Sequence, residues 1–126
     1  AAPSYLEAHG TPAAPAALST HNCLLQANIG PVDHWEFHTE KATERVPVSG
    51  SFRANSPLAV ATMAAGGLGI GRIPSYTADP FIEDGRLVPL FETHKTKVLG
   101  LYLVYPPSRH LTARIRALID HLRVHM

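Results

Sequence analysis

Cysteine is nearly absent from this sequence, because Cys23 is the single one among 126 residues. No internal disulfide can form, so the cysteine content gives no indication of an oxidising compartment. The sequence also lacks any apolar run that approaches the ~20 residues a membrane helix needs, and it shows no secretory signal pattern. These absences predict a cytoplasmic protein that has no membrane as a partner.

An excess of charge of either sign is also missing. The 11 lysine and arginine residues are scattered among 10 aspartate and glutamate residues, and the formal net charge is +1. Proteins that bind DNA usually carry a clustered basic face, so the sequence shows no electrostatic footprint for nucleic acid. A hydrophobic fraction of 45% over this length predicts one globular domain with a real core.

Helix and strand signals alternate along the chain, which predicts an α/β architecture with at least one partly parallel sheet. Helices are predicted for Ser4 to His9, with Ser4 as N-cap, for one turn at Ala16 to Leu18, and for the segments SPLAVATMAA, SYTADPFIED and LTARIRALIDHL. Strands are predicted for the short runs CLLQ, HWEFH, RVPVSGSF, LGIGRIP, RLVPLF and VLGLYLVY, the last of them covered on both faces.

Four glycines fall within AAGGLGIGRIP, residues 64–74. A dinucleotide-binding fingerprint needs G-x-G-x-x-G between a strand and a helix, so that the helix N-terminus meets the phosphates. Arg72 occupies the position of the third glycine, and here the helix precedes the glycines. The stretch therefore predicts a helix end with positive-φ glycines and a tight crossing into a buried strand.

Eight histidines raise the question of a metal site. His34 and His38 share one face of a predicted strand, and His121 and His125 are one turn apart on the last helix. Neither pair has neighbours that complete a set of four ligands, and no serine or cysteine stands beside a base in a recognisable pattern. The sequence predicts no metal, no cofactor and no catalytic residue, although a histidine-rich metalloenzyme remains an alternative.

The strongest candidate for binding lies where a strand gives way to a helix, at Asn55 and Ser56. Free backbone N–H groups and two polar side chains meet there, and they suit an anion such as a carboxylate. The same residues also suit simple capping of the helix, and the two roles are compatible.

Four segments, taken in order, resemble a known family. AAPSYLEAHGTPAAPAALSTHNCL has a small-residue-Pro-x-Tyr-Leu opening, then Gly-x-Pro, then a Leu-x-x-His-x-Cys-Leu ending. SFRANSPLAVATMAAGGLGIGRIPSY has an Asn-capped helix that leads into Gly-Leu-Gly-Ile and Pro-x-Tyr, and DGRLVPLF and LYLVYPPSRHLTARIRALIDHL complete the order. Over almost its whole length the sequence resembles the effector-binding region of LysR-type transcriptional regulators of bacteria.

The resemblance implies an α/β fold of the periplasmic-binding-protein type 2 kind, in which two subdomains hold a small molecule between them. This sequence would contain mainly the second subdomain, residues 1–103, followed by residues 104–126 as a return segment of the first. The DNA-binding helix-turn-helix would lie outside this sequence, so DNA would be a partner only through that missing domain.

The resemblance also implies function. It implies that the protein is not an enzyme. It implies instead a fragment of a regulator that binds a small anionic effector through Asn55 and Ser56, with Phe52, Arg53 and Ile73 as pocket neighbours. The alternative is a self-contained α/β binding or interaction module without a transcriptional role.

Self-association is expected as well, as a homodimer or a larger assembly. The apolar face of the last helix would expose Leu111, Ile115 and Leu118, and a patch of that kind favours association.

Overall fold

The computed structural model describes residues 1–28, 30–40, 42–94, 96, 100, 102, 104 and 112–125. The helices are α1 (Pro3–His9), a 3₁₀ helix (Pro15–Thr20), α2 (Pro57–Ala65), α3 (Ser75–Glu83) and α4 (Ala113–His125). The strands are β1 (Cys23–Gln26), β2 (His34–His38), β3 (Thr43–Pro47), β4 (Arg53–Ala54) and β5 (Ile70–Gly71). This order confirms the predicted mixture of helices and strands.

A three-stranded parallel sheet forms the centre of the fold. Its order is β4-β1-β5, with Gln26 opposite Ala54 and Leu24 opposite Gly71. The chain passes from β4 through α2 to reach β5 on the other side of β1, and the predicted parallel sheet is therefore confirmed. Strands β2 and β3 form a separate antiparallel pair, in which Trp35 lies opposite Val46.

Strand β1 separates two hydrophobic clusters, because its side chains alternate between the two faces of the sheet. Cys23 and Leu25 pack on the side of the β2–β3 hairpin, whereas Leu24 packs on the side of α2. The hairpin side contains Tyr5, Leu18, Trp35, Phe37, Val46, Val48 and Ile70. The α2 side contains Val60, Ala61, Ala64, Phe81 and Leu87.

Helix α2 begins and ends as the sequence predicts. Ser56 is the N-cap, where its Oγ accepts a hydrogen bond from the Ala59 N–H at 3.3 Å, and Pro57 occupies the first turn. Gly66 follows the last helical residue, and Gly67 has a φ of +81°. The glycine-rich stretch is therefore the predicted helix end and crossing into β5.

Three local predictions are wrong in detail. Ala2 takes the N-cap position of α1 because Pro3 fits the first turn, so Ser4 lies inside the helix. The strand expected in RVPVSGSF begins earlier, at Thr43, and ends at Pro47. The run Arg86 to Phe91 forms no strand, since Pro89 has no N–H to donate and Phe91 has a φ of +58°.

The C-terminal part is described only from Thr112 onwards, apart from a few isolated residues. Thr112 Oγ1 accepts a hydrogen bond from the Ile115 N–H at 3.4 Å and so caps the start of α4. Most of the predicted strand at 98–105 lies outside the described residues, although the described Tyr102 and Val104 are exposed and not covered. Among the described helices, none is long and apolar enough to cross a membrane.

Candidate functional site

The carboxyl ends of the three parallel strands meet at one edge of the sheet, which we call the carboxyl edge. Strand β1 ends there with Gln26, β4 leads into Asn55 and Ser56, and β5 leads into Arg72. In open parallel sheets, ligands bind outside the carboxyl ends of the strands, at the point where the connections from two neighbouring strands run in opposite directions. The carboxyl edge is therefore the candidate ligand site of this fold.

Asn55 and Ser56 lie together at the carboxyl edge, but they differ in what they contact. The Asn55 side chain is exposed and makes no hydrogen bond with the described residues. Ser56 is partly buried, and its Oγ is the cap of α2. The Leu58 N–H, in the first turn, finds no acceptor within the described ranges. The start of α2 thus offers hydrogen-bond donors to solvent, as helix starts do.

The three expected pocket neighbours lie in different environments. Phe52 and Ile73 are partly buried and pack against the hydrophobic cluster on the α2 side. Arg53 is exposed and lies opposite Leu25 in the sheet, so its side chain is on the face away from α2. Contact of any of the five expected residues with an effector stays a prediction.

Arg72 is a residue that the sequence did not single out for binding. Its guanidinium carbon lies 5.9 Å from the centre of the Trp35 ring, which places a cation over an aromatic face. Burial lowers the pKa of Arg72, and the nearby Glu36 carboxylate opposes this shift. The contact joins β5 to the β2–β3 hairpin, a long-range pairing that no local pattern reveals.

Gln26 is the second residue that the sequence analysis missed. It is 8% exposed, and its Nε2 donates a hydrogen bond to Asn28 Oδ1 at 2.9 Å. The only available signal was a polar residue at the end of the apolar run CLLQ, and that signal alone does not separate a buried amide from a surface one.

The histidines of the hairpin are engaged in local contacts. His34 Nδ1 lies 2.8 Å from Asp33 Oδ1, and His38 Nδ1 lies 2.9 Å from Thr43 Oγ1. The hydrogen bond with His34 is the main reason that the pKa of Asp33 lies below its usual range. In the described part of the chain, no three histidine, cysteine or acidic side chains come together in a group able to hold a metal ion.

A groove of about 510 Å³ lies away from the carboxyl edge, between residues 11–13 and 88–94.

Comparisons with known proteins agree on one family. A model of the LysR substrate binding domain matches residues 1–126. An HTH-type transcriptional regulator of Haemophilus influenzae is 33% identical over 115 residues, which are 91% of this chain and 40% of the relative. YagP of Escherichia coli K12, a LysR family substrate binding domain-containing protein, is 28% identical over 108 residues, 83% of this chain and 79% of YagP.

A solved structure supports the fold. The regulatory domain of AphB in Vibrio vulnificus superimposes with a TM-score of 0.81 at 27% identity, covering 100% of this chain and 62% of that one. The fold is therefore mixed α/β, of the periplasmic-binding-protein type 2 kind. The chain spans about 40% of the length of the first full-length relatives.

Proposed function

The chain belongs to the LysR substrate binding domain family, and from this we propose that it binds a small anionic effector at the carboxyl edge, through Asn55 and the start of α2. The observation that carries the proposal is the free donor set at this place. The Asn55 amide makes no hydrogen bond with the described residues, and the Leu58 N–H lacks an acceptor there. Both donors lie at the positive end of the α2 dipole, which favours a negative charge.

Ser56 has a supporting part in this proposal. Its Oγ already accepts the Ala59 N–H and so fixes the first turn of α2. Phe52 and Ile73 pack against the hydrophobic cluster on the α2 side of the sheet. The effector would meet a preformed donor set, which lowers the ordering cost of binding.

The wider role follows from the relatives. They are named transcriptional regulators and not enzymes, so we propose that effector binding here changes how a bacterial regulator contacts DNA. Such a change requires that the effector binds two arrangements of the protein with different affinity. DNA would be contacted by a helix-turn-helix domain and not by these residues, and the protein would act in the cytoplasm, where DNA is reached.

The experiment is a titration of the ¹⁵N-labelled chain with succinate, a plain dicarboxylate, at constant ionic strength. We expect the Leu58 N–H and the Asn55 side-chain amide signals to shift in a saturable way. Asn55→Asp places a like charge beside the bound carboxylate and should weaken binding about fivefold or more. Ser19→Asp is the matched control, because Ser19 lies in the 3₁₀ helix that precedes β1, at the opposite edge of the sheet.

Two results of this titration would contradict the proposal. If neither the Leu58 N–H signal nor the Asn55 side-chain amide signal moves, and the Kd for succinate is weaker than about 10 mM, the start of α2 is not an anion site. An equal loss of affinity in Asn55→Asp and Ser19→Asp would show general charge repulsion instead of a local contact.

A second candidate function is a self-contained binding or interaction module. The observation in its favour is the coverage of YagP, since this chain spans 79% of that relative. The module would remain monomeric at all concentrations. The association measurement at the end of the Discussion separates the two candidates.

A further inference from the structure

Gln26 has an unpaired acceptor in the core at the carboxyl edge. It is the one buried polar side chain among the described residues, at 8% exposure. Its Oε1 accepts no hydrogen bond from any of them, although Nε2 donates to Asn28. A buried acceptor without a donor destabilises the folded state, because it loses its hydrogen bond to water and gains none in return. Buried groups of this kind are rare in native proteins and require an explanation.

The position of Gln26 connects this acceptor to the start of α2. Strand alternation puts Gln26 on the same face as Leu24, which packs against α2. Gln26 lies opposite Ala54 on the β4 side, and on the β5 side the pairing of β1 ends with Leu24 opposite Gly71. The Ala54 side chain carries no donor. Since α2 follows β4 directly, its first turn begins at the same edge.

We propose that Gln26 Oε1 accepts a hydrogen bond from the effector, so that the effector is a small carboxylate that also carries a hydroxyl or ammonium donor. This inference rests on the proposed function, in which the carboxylate meets the donors of Asn55 and Leu58. The start of α2 offers donors, and Gln26 offers an acceptor. The two sides of the site therefore recognise groups of opposite polarity on one small molecule.

Selectivity follows from the unpaired acceptor. A carboxylate without a donor leaves Oε1 buried and unsatisfied, whereas a hydroxy acid or amino acid satisfies it. Sites built to pair with a hydroxyl or amine discriminate against analogues that lack it, because their buried polar groups are then left unpaired. Gln26 is thus a residue that determines specificity and does not contribute to general anion attraction.

The test compares pairs of carboxylates that differ by one hydroxyl: L-malate with succinate, and lactate with propionate. Each is titrated into the ¹⁵N-labelled chain, and Kd is measured from the Leu58 and Asn55 signals. We expect the hydroxylated member to bind about fivefold more tightly, the equivalent of one hydrogen bond. The Gln26 side-chain amide signals should shift with malate and lactate but much less with succinate and propionate.

Two variants isolate the acceptor. Gln26→Met keeps the length of the side chain without the oxygen, and it should abolish the hydroxyl preference, so that L-malate binds no more tightly than succinate. It should also raise the melting temperature, because an unsatisfied polar group leaves the core. Asn28→Ala removes the same Nε2 hydrogen bond but retains Oε1, so the preference should persist.

The outcomes separate this inference from the proposed function. If both members of each pair bind equally and shift the Leu58 and Asn55 signals, the anion site stands and the role of Gln26 is refuted. The same conclusion follows if Gln26→Met retains the full preference in a folded protein with a dispersed spectrum. If no carboxylate shifts the Leu58 or Asn55 signals, the proposed function and this inference both fail.

Discussion

Asn22 connects three separate parts of the chain at the start of β1. Its Oδ1 accepts the Ser51 N–H at 2.8 Å, and its Nδ2 donates to Ser51 Oγ at 3.0 Å and to Leu68 O at 2.7 Å. Its backbone N–H donates to the Tyr5 hydroxyl at 3.1 Å. One side chain therefore holds the loop before β4 and the turn before β5 against β1.

We expect Asn22→Ala to lower the free energy of unfolding by about 2 kcal/mol, because three side-chain hydrogen bonds are lost at a partly exposed site. Asn55→Ala is the matched control, since the Asn55 side chain makes no hydrogen bond with the described residues. It should change stability by less than about 0.5 kcal/mol. Urea denaturation of both variants measures this, and similar losses in the two would contradict the role of Asn22.

Cys23, in contrast to Asn22, is a residue that we expect to be chemically unreactive. It is fully buried, and its Sγ donates to Leu18 O at 3.5 Å. Burial raises the pKa of the thiol from about 9 to about 11. The thiolate is the reactive form, so the native thiol is both covered and protonated near neutral pH.

We therefore expect Cys23 to resist a disulfide reagent at pH 8 in the native protein and to react fully in denaturant. The raised pKa also predicts a pH effect on stability. The folded state favours the neutral thiol, so its contribution is complete below pH 9 and is lost as pH rises through about 11. Cys23→Ala should show a smaller decline over this window than the wild type, and an identical decline in both would contradict the assignment.

At the scale of elements, the crossing from α2 to β5 depends on glycine at one position more than at its neighbours. A Cβ atom at Gly69 would collide with the backbone oxygen of Asn22, whereas at Gly66 the nearest atoms would lie at 3.5 Å. The close approach places β5 against β1, where the Ile70 N–H donates to Asn22 O at 2.9 Å.

Gly69→Ala should consequently cost about 3 kcal/mol, because the backbones of β1 and β5 must separate. Gly66→Ala should be nearly neutral, since its φ of −76° suits any residue and its Cβ meets ordinary contacts. Thermal unfolding of the two single variants is the measurement. Equal destabilisation would show that the whole glycine stretch, and not the approach at Gly69, limits substitution.

The same elements show how far the sequence alone could predict this fold. Helix α2 was predictable because its signals are local: Ser56 as cap, Pro57 in the first turn and the glycines at the end. The run Arg86 to Phe91 was mispredicted because apolar content suggested a strand, while Pro89 and the positive φ of Phe91 prevent one.

The candidate site was predictable only in part, for a related reason. Asn55 and Ser56 follow from the strand-to-helix boundary. The approach of Gln26 to Ala54, and of Arg72 to Trp35, depends on which strands pair and in what register. The pairing of strands that are distant in the sequence cannot be read from the local residue pattern of either strand.

At the scale of the whole molecule, helix α4 presents apolar side chains to solvent. Ile115 is 38% exposed, Leu118 55% and Val124 78%. Ile115 and Leu118 are three residues apart and so share one face of the helix. Leu111, the third residue of the expected patch, lies outside the described residues. Self-association through this face stays a prediction.

The prediction is tested by light scattering after gel filtration, over a range of concentrations. We expect a mass above the monomer's 13.6 kDa that falls on dilution, together with binding of an apolar dye. Leu118→Glu places a charge in the patch and should shift the protein to monomer, because a buried charge would have to be desolvated at the contact. Arg123→Glu on the polar side of α4 is the control and should leave association intact. A monomer at all concentrations without dye binding would instead favour the self-contained module, since exposed apolar surface drives association unless something covers it.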